Sequence, residues 1–137
     1  MIDITSLSHV TLIVREPEAS KRFYGGVLGM REVATPSGFN PAITWFRSGT
    51  AELHLQHRSI AVQDSGDPPA QTTAERDAAR ARHIAFAVAD IEATRRALEQ
   101  HGVEVVLGPR PRGDGAEQLY CRDPDGHLVE LHSQPTG

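Results

Sequence analysis

The two halves of this 137-residue chain spell the same succession of elements, and that duplication limits the folds open to it more than any single motif does. In the first half, residues 7–14 carry an apolar, β-branched strand pattern. His9, Thr11 and Ile13 fall on one face; Val10, Leu12 and Val14 fall on the other. Glu16-Pro17-Glu18-Ala19 starts a helix, because proline suits a first turn and carboxylates favour the positive end of the helix dipole. Ala19, Phe23 and Val27 recur at helical spacing, and Gly25, Gly26 and Gly29 weaken and end the run. Residues 30–34 read as a short strand and 35–41 as a turn-rich loop. Residues 43–47 and 50–57 read as a hairpin around Ser48-Gly49.

The second half repeats this order. Residues 83–88 form a strand that opens on His83, and Asp90 caps a helix running to Gln100 and ending at Gly102. A strand at 103–107, a loop at 108–115 and a strand at 118–122 follow. The turn Asp123-Pro124-Asp125-Gly126 then leads into a last strand, 127–132. Two copies of βαβββ predict an α+β fold, with module one at 5–57 and module two at 82–133. Residues 58–81 hold Asp64-Ser65-Gly66-Asp67-Pro68-Pro69 and read as a linker or lid. Within it, Thr72-Thr73-Ala74-Glu75 has capping-box spacing and predicts a short helix to about Arg80.

The length suits one compact domain, and 39% hydrophobic with 23% charged residues is ordinary for a globular protein. A net charge of −4 with interspersed signs gives no case for nucleic acid or an anionic membrane as partner. No apolar run approaches the roughly twenty residues of a membrane-spanning helix. The N-terminus lacks a basic head before an apolar segment, so no secretory leader is expected. The single Cys121 has no partner for an internal disulfide, which points to a cytoplasmic location.

Inside the apolar last strand sits one carboxylate, Glu130, which is costly to bury unless an arginine, a proton or a metal ion meets it. The duplication supplies partners. His9 and His83 open equivalent strands, and the last strand of module one holds Glu52-Leu53-His54-Leu55-Gln56. His9 and His54 are 45 residues apart, His83 and Glu130 47. Glu52, His54 and Gln56 share a face, so the pattern leaves both Glu52 and His54 open for the fourth place. Two or three imidazoles with a carboxylate suit a first-row divalent ion: Zn, Ni, Mn, Fe or Co. Singly, a strand-start histidine is more often structural, and Glu130 alone is served by an arginine. Jointly, at matched places, the four favour a metal.

Other residues are weaker candidates. Thr11 shares the face of His9, and Tyr120 stands near the final turn; both are candidate substrate contacts. Arg110 and Arg112, in the loop with Gly113-Asp114-Gly115, suit an anionic substrate, although solvated loop arginines are commoner. His57 and His132 end strands, and His101 and His127 read as structural. Cys121 has no evident base to activate it.

The segments 7–14, Phe23-Tyr24 with Leu28-Gly29-Met30, 82–88 and 123–131 resemble the vicinal oxygen chelate (VOC) superfamily over nearly the whole chain. That group includes glyoxalase I, bleomycin-resistance proteins, extradiol dioxygenases and fosfomycin-resistance enzymes. The resemblance implies two βαβββ modules forming a half-open barrel around a divalent metal (the glyoxalase-like fold), usually in a homodimer. It also implies a small-molecule substrate chelated through adjacent oxygens. His9, His83 and Glu130 match the three commonest ligand places. His54 best matches the fourth, with Glu52 as the alternative or as a nearby base; Glu130 is the other candidate for moving a proton. Four ligands rank a glyoxalase-I-like lyase or isomerase first. A fosfomycin-resistance enzyme, opening an epoxide, generally uses three protein ligands and a C-terminal extension not evident here. A single-domain extradiol dioxygenase is a further alternative. A non-catalytic drug- or metabolite-binding protein of the bleomycin-resistance kind ranks last, because the ligands are kept and aromatics are only 5%.

Overall fold

The computed structural model describes residues 1–39, 43–60 and 82–136; the expected helix at 72–80 and nearly all of the linker lie outside them. The chain divides into two compact units, Met1–Gly66 and Asp67–Gly137. The first carries β1 (Val10–Val14), α1 (Pro17–Lys21) continued by a π-helical segment (Arg22–Val27), β2 (Arg31–Val33), β3 (Ile43–Ser48) and β4 (Ala51–His57). The second carries β5 (Ile84–Ala87), α2 (Ile91–Gln100), β6 (Val105–Pro111), β7 (Glu117–Arg122) and β8 (Leu128–His132). Each unit is therefore βαβββ, and the fold is α+β.

The sheets have the same wiring. The first runs β1-β4-β3-β2 and the second β5-β8-β7-β6. In each, the first strand lies parallel to the last, across the helical crossover that a parallel pair requires, and the other pairings are antiparallel. The last strand of each module is thus central, with a neighbour on either side.

Alternation along the strands divides each sheet into an apolar and a polar face. Leu12, Val14, Phe46, Leu53 and Leu55 are buried on one face of the first sheet, as are Phe23 and Tyr24 of the helical segment. In the second, Leu119, Cys121, Val129 and Leu131 are buried on one face, along with Ile91 and Leu98 of α2. Each such leucine contributes about 1.5–3 kcal/mol by leaving water. The opposite faces carry the chemistry: His9, Thr11, Trp45, Arg47, Glu52 and His54 in one unit; Tyr120, Glu130 and His132 in the other. The helix caps follow the sequence, with Asp90 Oδ1 accepting from Ala93 N at 2.9 Å. No helix among the described residues is long and apolar enough to cross a membrane.

Two elements differ from the sequence reading. Strand β1 begins at Val10 instead of residue 7, because it is at the edge of its sheet and its one neighbour among the described residues, β4, pairs with it from Leu53 onward. Strand β6 continues to Pro111, through what reads as a loop, so Arg110 lies opposite Gln118 on a strand. Proline is tolerated there because β6 is also an edge strand, and the register shifts around Gly108-Pro109 absorb the irregularity.

Gly108 has φ +87°, and a Cβ there would lie 2.4 Å from the Gln118 carbonyl oxygen. Gly108→Ala must push β6 off β7, and a loss of about 2–3 kcal/mol is expected from urea unfolding midpoints. Gly49→Ala, with nothing near its Cβ, meets only the left-handed backbone penalty of about 1 kcal/mol and serves as the control.

Candidate functional site

The polar face of the first unit is built around His54. Its neighbour in β1 is Thr11 and its neighbour in β3 is Trp45. The Trp45 and His54 rings stack with centroids 4.0 Å apart and planes 8° from parallel, and His9 stacks near His54 at 4.0 Å and 20°. His54 is buried, whereas His9 is exposed just ahead of β1, its Nδ1 at 3.0 Å from Ser8 Oγ. His54 Nε2 lies 2.8 Å from Glu52 Oε1, and the other oxygen of Glu52 accepts from Arg47 Nη2 at 2.8 Å and Nε at 3.1 Å. Bonds from His54 and then Arg47 hold the Glu52 carboxyl below the usual carboxylate range.

The polar face of the second unit is built around Glu130, which is 5% exposed. It lies between Ala85 of β5 and Tyr120 of β7. Its Oε2 is 3.0 Å from His83 Nε2. Its Oε1 is buried and has no hydrogen bond within 3.5 Å among the described residues; Arg112 Nη1 is ion-paired to it at 3.6 Å. The ring of Tyr120 meets His83 edge-on at 5.4 Å. Burial, and next the charge of Glu130, push the Tyr120 phenol above its ordinary range.

The two candidate arginines separate. Arg112 is engaged by Asp114, with Nη2 at 2.5 Å from Oδ2 and Nε at 3.2 Å from both oxygens. This pairing lowers the Asp114 pKa to about 2. Arg110 presents a buried Nε that has no hydrogen-bond partner among the described residues.

The duplication now aligns residue by residue. His54 stands between Thr11 and Trp45 as Glu130 stands between Ala85 and Tyr120. His9 and His83 each precede the first of those neighbours by two residues. Register therefore makes His54, and not Glu52, the counterpart of Glu130. Sequence reasoning missed Trp45 and Arg47. The hairpin reads as turning around Ser48-Gly49, whereas the structure pairs Ser48 with Ala51 and turns at Gly49-Thr50, which sets 47 opposite 52 and 45 opposite 54.

The turn before β8 explains how Glu130 is placed. Asp123 Oδ1 accepts from the backbone N–H groups of Asp125 (2.9 Å) and His127 (2.8 Å), and Arg122 Nη1 donates to the Gly126 carbonyl (3.0 Å). This closed turn sets the register of β8 against β7. His132 Nδ1 bonds the Ser133 carbonyl at 2.8 Å, and His57 Nδ1 lies 2.6 Å from Ser59 Oγ, which fits local structural roles.

Among the described residues, no group of three or more His, Cys, Asp or Glu side chains stands ready around one point. Each unit does hold a histidine–carboxylate pair, His54–Glu52 and His83–Glu130. The bond-free, buried Oε1 of Glu130 beside an imidazole fits a cation better than it fits a closed hydrogen-bond network.

Burial pushes the Cys121 thiol up to about 12. The thiolate, the reactive form, is therefore scarce at neutral pH. At pH 8 the native protein is expected to leave a thiol-reactive dye unlabelled over hours and to react within minutes in denaturant; rapid native labelling would contradict this.

Comparison with known proteins agrees with this architecture. The Glyoxalase/Bleomycin resistance protein/Dioxygenase superfamily matches residues 6–131. The chain is 33% identical over 135 residues to fosfomycin resistance protein FosX of Mesorhizobium japonicum, covering 95% of this chain and 86% of that protein. It is 26% identical over 131 residues to glyoxylase I 4 of Arabidopsis thaliana, covering 95% of this chain and 71% of that one. The fold of a glyoxalase/dioxygenase from Nostoc punctiforme superposes with a TM-score of 0.74 at 21% identity, covering 98% of this chain and all (100%) of that one. With a duplicated βαβββ architecture and a match spanning both modules, the chain belongs to the Glyoxalase/Bleomycin resistance protein/Dioxygenase superfamily, the VOC superfamily.

Proposed function

We propose that the protein is a divalent-metal-dependent enzyme acting on a small substrate with adjacent oxygens, as a glyoxalase-I-like lyase or isomerase. His9, His54, His83 and Glu130 are the ligands in this reading. The observation that carries it is the buried Glu130 carboxylate, with one oxygen on His83 and the other met, among the described residues, only by Arg112 at 3.6 Å. The chemistry such an ion supplies is stabilisation of negative charge on chelated oxygens. Small-molecule substrates and homodimers are common in the family, and both are extended to this chain as part of the proposal.

The side chains divide the remaining work. Of the two carboxylates considered for proton transfer, Glu52 has both oxygens taken by His54 and Arg47, and Glu130, as a ligand, moves a proton only after loosening from the ion. Tyr120, raised in pKa, stays protonated at neutral pH; its hydroxyl donates weakly to Gln118 Oε1 at 3.5 Å and in this reading turns to donate to substrate. Thr11, exposed beside His54 in register, is a polar contact for substrate. Arg110, with its unpartnered Nε, takes the anionic end of the substrate, while Arg112 is held by Asp114.

A second reading, epoxide opening by a thiol or water, is favoured by the 33% identity to FosX. Turnover separates the two. A glutathione hemithioacetal consumed in the presence of nickel or zinc supports the first, and fosfomycin consumed with no hemithioacetal turnover supports the second.

The metal assignment is tested without turnover. Elemental analysis and zinc titration are expected to show one ion per chain. His83→Ala and Glu130→Ala are each expected to weaken binding by more than about tenfold, since even an outer partner of a ligand is worth that much. A wild type that carries no ion and binds none added would overturn the proposal. Once a substrate is known, Arg110→Ala is expected to raise KM for an anionic substrate by about tenfold or more, the worth of one charge-assisted hydrogen bond. Arg112→Ala is expected to raise it less.

A further inference from the structure

The Arg47–Glu52–His54 chain has a polarity. An ionised carboxylate only accepts, so the 2.8 Å contact between Glu52 Oε1 and His54 Nε2 requires the imidazole proton on Nε2. The lone pair of a neutral His54 ring then lies on Nδ1. Glu52 is itself fixed by two bonds from Arg47 to its second oxygen. Stacking on Trp45, with planes 8° from parallel, fixes the plane of the His54 ring.

We infer that Glu52 and Arg47 are positioning residues that lock His54 in the Nε2–H tautomer, leaving Nδ1 as its donor atom toward a metal. This rests on the metal reading above only for the identity of what Nδ1 meets. It has a consequence for His9. An imidazole donates in its own plane, and the His9 and His54 rings are stacked 4.0 Å apart and only 20° from parallel. No nearby point lies in both planes, so one ring must turn for both to hold the same ion. His54 is buried and held by Trp45 and Glu52, whereas His9 is exposed and precedes β1. His9 is the ligand that turns. Module two achieves fixation differently, because Glu130 meets its histidine across β5 and β8 and has no carboxylate two residues before it. A clamp by a carboxylate two residues earlier on the same strand is seen in module one.

The test uses the full chain, 15N-labelled at histidine. Two-bond 1H–15N spectra of the metal-free protein are expected to show His54 as a single Nε2–H tautomer. In Glu52→Ala the two tautomers mix, and zinc affinity, measured against a competing chelator, falls about 10–100-fold. Arg47→Ala, on an exposed side chain, changes both readouts in the same direction by less. Glu52→Gln, which keeps an acceptor oxygen, restores the tautomer. Zinc addition to the wild type shifts the His9 ring resonances while His54 keeps its tautomer. A wild-type His54 protonated on Nδ1, or Glu52 and Arg47 variants matching the wild type in tautomer and affinity, would overturn the inference. A wild type that shows the expected tautomer but binds no zinc sinks the metal reading and leaves the positioning role standing.

Discussion

A carboxylate in the middle of a central strand sets the terms for the second unit. Glu130 has β5 on one side and β7 on the other, so its side chain leaves the sheet with little access to water. Burying such a group costs several kcal/mol unless charge or hydrogen bonds answer it. His83 answers one oxygen. Arg112 stands near the other, but its guanidinium is committed to Asp114. The turn at Asp123, closed by its own carboxylate, keeps the strand in the register that puts Glu130 on the polar face and Val129 and Leu131 on the apolar one.

The first unit meets the same geometry with the charges exchanged. At the place of Glu130 stands His54, and its carboxylate partner comes from two residues earlier on the same strand. Tyr120 and Trp45 occupy matching places opposite these groups, so each module backs its polar centre with an aromatic ring. The two modules thus share a scaffold and differ in the side chains they carry on it. Each unit carries one histidine–carboxylate pair, and the two pairs are held by different means.

Much of this was legible from residue order. Strand alternation assigns His9, His54, His83 and Glu130 to polar faces, because successive side chains point to opposite sides of a sheet. Capping by Asp90 and the stop at Gly102 were readable because both act within a few residues. Strand β6 was not readable beyond residue 107, since proline and glycine signal a loop unless the strand is known to lie at a sheet edge. The choice between Glu52 and His54 was equally closed to pattern, because both lie on the same face.

The sequence by itself determined the duplicated βαβββ order, the face of each strand and the chemical types gathered on the polar faces. These follow from local periodicity and short-range turn chemistry. Only the tertiary structure decided which residues meet. It made His54 the counterpart of Glu130 in its own module, gave both oxygens of Glu52 to Arg47 and His54, engaged Arg112 with Asp114, and left the Arg110 Nε and one oxygen of Glu130 without a hydrogen bond among the described residues. The physical reason is that alternation carries no information about register. Register is set by turns and pairing partners distant in the chain, and a shift of one residue would turn every one of these side chains to the other face.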